Sequence, residues 1–237
     1  KPFIFTAYFF MKCMDDNFEN RELSSLADLH NSDIIDLICR RYSCRVCLKT
    51  PVEAEILRKL ETFAGAITTG PFGSLLRFTV ISASVQDSRE LRGLGTYGFI
   101  RNPAGFITGT AGPGFRNLED FGYAMECIVL YATKLELGTC WLGGTFSRSS
   151  FSEKAGLQPG EILPAVVSFG YPAEKSQEHL VRTLARSDRR LPWETLFFDH
   201  SPEQPLTKEQ SGIFRLPLDS VRMAPSASNR QPWRIIR

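Results

Sequence analysis

Residues 118–144 read LEDFGYAMECIVLYATKLELGTCWLGG, and the fold turns on this stretch. Leu118, Phe121, Met125, Ile128, Val129, Ala132 and Leu135 recur at steps of three and four, which puts them on one stripe of a helix. The spacing predicts a helix over 118–137 running through a core, with Gly138 standing just past its end. The LGTCWLGG that follows supplies glycines, among them Gly143 and Gly144, where a backbone can approach something flat; a helix cap followed by a tight turn is the plainer reading.

Upstream, RFTVISAS (77–84) and the residues around Phe106–Thr108 read as strands, the second ending at the turn over 109–114. Two helices precede them. One is capped by Ser32 or Asp33 and runs to Arg40; the other starts with Pro51 at its first position and carries Val52, Ile56, Leu57, Leu60 and Phe63 at helical spacing. Downstream come a short helix over 149–156, a strand over 164–170, a Pro-, charge- and Gln-rich excursion over 172–211, and a last helix over 212–223. Residues 12–30 read as a loose polar arm. Helix 52–66, its turn and strand 77–84 are echoed by helix 212–223, the turn at 225–232 and the apolar stretch at 233–236. The chain begins with Lys1 and stops as this last strand starts, which reads as part of a longer protein.

The composition narrows the function. With 237 residues, 43% hydrophobic and 23% charged, the chain is ordinary globular protein rather than a disordered or coiled-coil one. A net charge of +2, spread along the sequence, lacks the concentrated basic face that nucleic acid requires. The most apolar run, PFIFTAYFFM (2–11), is about half the ~20 residues of a membrane span, and no cleavage site follows it. Six cysteines do not make a disulfide scaffold, and a cytoplasmic location is expected. Cys44 and Cys47 have no second CxxC, and His30, His179 and His200 are scattered, so these thiols read as bystanders and no metal site is expected. GLGTYG (93–98) matches a dinucleotide fingerprint literally but has a polar helical stretch before it and a strand after it, the reverse of what that motif requires.

Three short motifs remain. In RYSCR (41–45) two arginines flank hydroxyl residues at a helix end, which suits a phosphate monoester as well as it suits a solvated basic terminus. RRLP (189–192) is either a second phosphate clamp or a solvated pair. In APSASNRQPW (224–233) two prolines bracket Ser, Ser, Asn and Gln, giving a stiff loop able to bind the edge of a heteroaromatic ring, or a plain polar turn.

Together, RYSCR, PAGFITG (103–109), the 118–144 stretch, RRLP and APSASNRQPW resemble the nitroreductase family of FMN flavoproteins, in particular its single-chain branch with two fused half-modules. The resemblance runs from about Ser32 to Arg237. It implies an α+β fold with a central mixed β-sheet flanked by helices, arranged as an internal pseudo-dimer: an arm over 1–30, a first half-module over 31–190, and a connection with a partial second half-module over 191–237. It implies FMN as cofactor. Arg41, Tyr42, Ser43 and Arg45 would lie at its phosphate and ribityl chain, and Arg190 with Arg189 would complete the clamp. Pro225, Ser226, Ala227 and Asn229 would lie at the isoalloxazine, Gly143 and Gly144 near N5, and Thr96 at the pyrimidine edge. The implied activity is hydride transfer from NADH or NADPH to a small nitro or quinone-like acceptor, with no membrane or nucleic-acid partner and no side chain as catalytic acid or base. A non-catalytic flavin-binding or flavin-storing protein shares the same residues, and a flavin-free interaction module is the third alternative. The sequence departs from the family pattern at Asp188, where some relatives have lysine, and in TTGPFGSLLRF (68–78), which lacks the family's Asn and Gln and leaves one ring-binding loop per chain. A homodimer is the alternative to the internal arrangement.

Overall fold

Asp33 starts the first helix by accepting hydrogen bonds from the backbone N–H groups of Ile35 (3.1 Å) and Asp36 (3.2 Å), which would otherwise lack partners at a helix end. This helix, α1 (Ile34–Arg40), buries Leu37 and Ile38. The computed structural model describes residues 33–82, 96, 98–174, 183 and 189–237. The arm over 1–30, most of GLGTYG, Asp188 and much of the excursion after residue 174 lie outside the described residues. The chain divides into two compact units, one lying within Glu19–Glu178 and the other within His179–Arg237.

In the first unit, α2 (Ala54–Ala66) leads into β1 (Leu76–Ser82), followed by β2 (Gly105–Ala111), α3 (Asn117–Lys134), β3 (Gly138–Leu142), α4 (Arg148–Lys154) and β4 (Val166–Gly170). The sheet order is β1-β2-β4-β3, and these four strands pair antiparallel. Parallel pairing enters at the outer edge of β3, where Ser43 bridges Thr139, so the sheet as extended is mixed. Every residue of β2 is buried, because both faces of the sheet are covered. On one face α3 packs against β2 and β3, with Phe121 beside Phe78 (ring centroids 5.7 Å) and Tyr131 stacked on Phe63 of α2 (4.0 Å). On the other, Ile81, Phe106 and Cys140 lie in one row across the strands and pack with Phe146 and Phe151; Phe106 meets Phe151 edge-on at 5.1 Å.

The structure revises several expected boundaries. Helix α3 ends at Lys134, not 137. Glu136 takes the left-handed conformation (φ 60°), and the N–H of Leu137 bonds back to the carbonyl of Ala132, a Schellman ending with glutamate where glycine is usual. Gly138 is therefore no cap. It opens β3, a strand not expected from the sequence, and it is glycine because a Cβ there would come within 2.7 Å of Cys44 Cβ and Sγ. Helix α2 begins at Ala54, three residues after Pro51; the backbone is still extended at Glu53, and Val52 is already buried ahead of the first turn. Strand β2 runs through Gly109 to Ala111 instead of stopping before a turn.

The largest revision concerns 172–211. Part of this stretch is core, not a surface excursion. In the second unit a turn of 3-10 helix (Trp193–Thr195) and β5 (Phe197–Phe198) contribute Trp193, Leu196 and Phe197, which pack with Leu206, Leu218, Val221 and Trp233. Helix α5 (Arg215–Met223) covers this cluster, and β6 (Ile235–Ile236) pairs parallel with β5. Trp233 is 2% exposed, and burying an indole of that size contributes about 2–3 kcal/mol.

Candidate functional site

Within the first unit the chain leaves α1 as extended backbone and lays RYSCR along β3. The N–H of Cys44 donates to the carbonyl of Thr139 (2.8 Å), and the N–H of Cys47 to that of Arg101 (3.0 Å). The CxxC spacing is a packing feature. Cys44 lies against Gly138 and Cys47 against Gly170, whose Cβ would come within 3.0 Å of the thiol; both cysteines are buried.

Arg41 turns inward. Its side chain is 6% exposed, with Nε 3.8 Å from Glu126 Oε1, while Trp141 Nε1 donates to Glu126 Oε2 at 2.8 Å. Burial pushes the Glu126 carboxyl above its usual range, opposed by the Arg41 charge and the Trp141 hydrogen bond. Arg45 donates from Nη1 to the carbonyl of Ser43 (3.2 Å), and its guanidinium lies over the Phe99 ring at 5.3 Å. The N–H of Phe99 donates to the carbonyl of Thr96 (2.9 Å), so Thr96, itself buried, is tied to the Arg45 neighbourhood through Phe99. At the far end of β3, Gly143 and Gly144 are exposed, and a Cβ on either would meet nothing within 4 Å. The chain's own packing does not demand glycine there.

Within the second unit, RRLP and APSASNRQPW come together, and Gln231 joins them. Its side chain is buried; its Oε1 accepts from the N–H of Leu191 (2.9 Å), and its Nε2 donates to the carbonyls of Arg189 and Asn229 (both 3.2 Å). Asn229 Nδ2 also donates to Arg189 O (2.9 Å). Arg190 donates from Nη1 to Arg189 O (3.0 Å) and from Nη2 to Met223 O (3.5 Å). Above this support the loop is strained: Ser228, Asn229 and Gln231 have φ of 52°, 54° and 48°, a region where L residues cost about 1 kcal/mol or more each. Pro225 and Ser226 are half-buried, and Ala227, Ser228 and Arg230 face solvent.

The expected site residues thus fall into two sets. Arg41, Tyr42, Ser43, Arg45, Thr96, Gly143 and Gly144 belong to the first unit; Arg189, Arg190, Pro225, Ser226, Ala227 and Asn229 belong to the second. Sequence reasoning missed Glu126 and Phe99 and gave Gln231 no separate role. Glu126 did leave a signal, as the single charged residue in AMECIVLYA (124–132). Among the described residues no group of three or more His, Cys, Asp or Glu could hold a metal ion, and no helix is long and apolar enough to cross a membrane.

A family model described as "Putative TM nitroreductase" matches residues 33–237. A solved structure of a putative nitroreductase from Thermotoga maritima is 19% identical, with a TM-score of 0.54 over 94% of this chain and 76% of that one. A putative nitroreductase from Desulfovibrio desulfuricans, solved in complex with FMN, is 25% identical over 61% of this chain and 88% of that one, with a TM-score of 0.47. No curated protein matches.

Proposed function

The chain belongs to the nitroreductase family, and on that premise we propose that it is an FMN-dependent oxidoreductase that carries hydride from NADH or NADPH to small nitro or quinone-like acceptors. The observation that carries this reading is the second unit's loop, held in a strained shape from below by Gln231 while Ala227, Ser228 and Arg230 face outward. Such a loop has a shape fixed in advance for a planar, hydrogen-bonding ligand.

The donor chemistry fits FMN. Guanidinium groups and hydroxyls suit its phosphate, and open glycine backbone suits a flat ring. On this reading Arg45 and Arg190 meet the phosphate charge, with Tyr42, Ser43 and Arg189 beside them. Arg41 is engaged by Glu126 and sets the course of its segment. Pro225, Ser226, Ala227 and Asn229 border the ring, Gly143 and Gly144 leave its N5 side uncovered, and Thr96 closes the pyrimidine edge. Asn229 and backbone N–H groups there oppose negative charge as it develops. FMN, when bound, supplies the hydride chemistry; the protein binds, orients and adjusts charge, which is why no acid–base pair is required. The expected solution state is an internal pseudo-dimer: a monomer carrying one FMN.

The test is an absorbance spectrum of the purified protein, reconstituted with FMN, before and after anaerobic NADPH or NADH. Flavin bands that bleach with the nicotinamide and return with a quinone support the reading. Bands that do not bleach leave a flavin-binding protein without this activity, and no flavin uptake removes the proposal.

A further inference from the structure

Glu126 is the one charged residue between Gly122 and Thr133 of α3, and it joins three elements at once: α3 itself, the end of α1 through Arg41, and β3 through Trp141. Its placement relative to the strand edge is specific. Ser43 and Thr139 form the parallel bridge that seats RYSCR on β3; Arg41 lies two residues before that bridge on one segment, and Trp141 two residues after it on the other. One carboxylate therefore grips the bridge from both sides, with Arg41 Nε at 3.8 Å and Trp141 Nε1 at 2.8 Å.

Stability alone does not account for such a group. Taking a carboxylate and a guanidinium out of water is costly, and well-packed apolar side chains of similar volume often stabilise a fold as well or better. What the arrangement supplies is a single geometry: the Arg41 side chain is 6% exposed and Glu126 is the acid beside it, so removing Glu126 leaves a buried charge without that counter-charge and the Trp141 N–H without its acceptor.

We propose that Glu126 is a positioning residue of the flavin site: by holding Arg41 and Trp141 it fixes the Ser43–Arg45 segment, which carries phosphate donors, relative to the Gly143–Gly144 end of β3. The proposal rests on the FMN reading for its functional consequence, while its structural part can be tested without flavin.

Glu126→Gln, Glu126→Ala, Arg41→Gln and the double variant Arg41→Gln/Glu126→Gln are compared with the wild-type chain. In protein without flavin, two readouts apply: the Trp141 indole N–H resonance, assigned by its loss in Trp141→Phe, and the rate of tryptic cleavage after Arg45. In protein with FMN, flavin affinity and the acceptor KM are measured. Glu126→Gln is expected to keep the resonance near its place, since an amide oxygen can still accept. It should speed cleavage several-fold and weaken FMN about tenfold, with the acceptor KM within twofold. The double variant should bind FMN no worse than the weaker single variant. Glu126→Ala should also shift the resonance; should it fail to fold, the Gln variants carry the test. Unchanged cleavage in Glu126→Gln overturns the proposal, and so does unchanged FMN affinity in a protein that binds FMN. A wild-type chain that takes up no FMN refutes the flavin reading instead, and cleavage with the Trp141 resonance then decides whether Glu126 fixes the segment.

Discussion

Residues 54–82 and 215–236 both run helix, loop, strand, yet their loops are held in opposite ways. The first loop is sealed by the protein itself. Thr69 and Leu75 bridge, the N–H of Gly70 donates to Ser74 O (3.1 Å), and the buried Asp120 carboxylate accepts from the N–H groups of Phe72 (2.7 Å) and Ser74 (2.8 Å). A Cβ on Gly70 would collide with Asp120, so the loop closes onto that side chain. The second loop rests on Gln231 and turns its tip, Ala227 and Ser228, toward solvent. Similar scaffolds have led to a turn closed onto a buried carboxylate and one that bonds Asn229 and Gln231 inward while Ala227, Ser228 and Arg230 face solvent. This contrast gives a physical reason for expecting one ring-binding loop per chain.

The largest expected effect comes from breaking the seal. Asp120→Ala removes the acceptor of two charge-assisted hydrogen bonds at a buried site and should cost about 3–4 kcal/mol in chemical denaturation. A cost under 1 kcal/mol would mean the loop is closed by its backbone bonds alone. Gln231→Ala should cost less, about 2–3 kcal/mol, since it opens a small cavity and leaves the N–H of Leu191 without its acceptor. Its distinguishing mark is functional: FMN binding should fall with Gln231→Ala by more than stability accounts for, and with Asp120→Ala only as far as folding is lost. Equal losses in the two variants would remove the contrast.

Much of this comparison was legible in the sequence, because loop motifs are local. APSASNRQPW announces a stiff polar loop, and the missing Asn and Gln in TTGPFGSLLRF announce a different one. Helix α3 was equally plain from its stripe of apolar residues. What escaped depends on contacts between distant positions. Asp120 and Glu126 look like ordinary helix residues until the fold places Ser74 over one and Trp141 beside the other. Gly138 suggested a cap because glycine is common past helix ends, whereas its reason is Cys44, more than ninety positions away. The second unit's core was hidden by composition: WETLFF (193–198) is a short apolar cluster in a stretch rich in Pro and charge, too brief for any period to show.

Arg45→Ala and Arg190→Ala sharpen the comparison on the binding side. Each should weaken FMN by about 1.5–3 kcal/mol, roughly 10- to 100-fold, read by titration of the protein without flavin. Stability should move little, since neither side chain belongs to the apolar clusters of its unit. Unchanged affinity in both variants would remove the phosphate assignment.

The smallest effect tests the backbone itself, and it should have opposite signs in the two loops. Gly73 has φ of +85° with no atom within 4 Å of a Cβ, so the cost of Gly73→Ala is conformational only, about 1 kcal/mol. Ser228 has φ of 52° and ψ of 28° and is exposed, so it bears the left-handed penalty that glycine avoids. Ser228→Gly relieves about 1 kcal/mol of that penalty and gives back part of it through the greater freedom of glycine in the unfolded chain, leaving a gain of about 0.5 kcal/mol. Thermal melts of the two variants should therefore shift in opposite directions, down for Gly73→Ala and up for Ser228→Gly. FMN affinity gives the second half of the test. A residue strained for binding should cost affinity when it is relaxed and made mobile, so Ser228→Gly should bind FMN a few-fold more weakly while melting higher. If it melts higher and binds as well as the wild type, the strain at that position does not serve the flavin, and the rigidity of the loop rests on its two prolines and Gln231 alone.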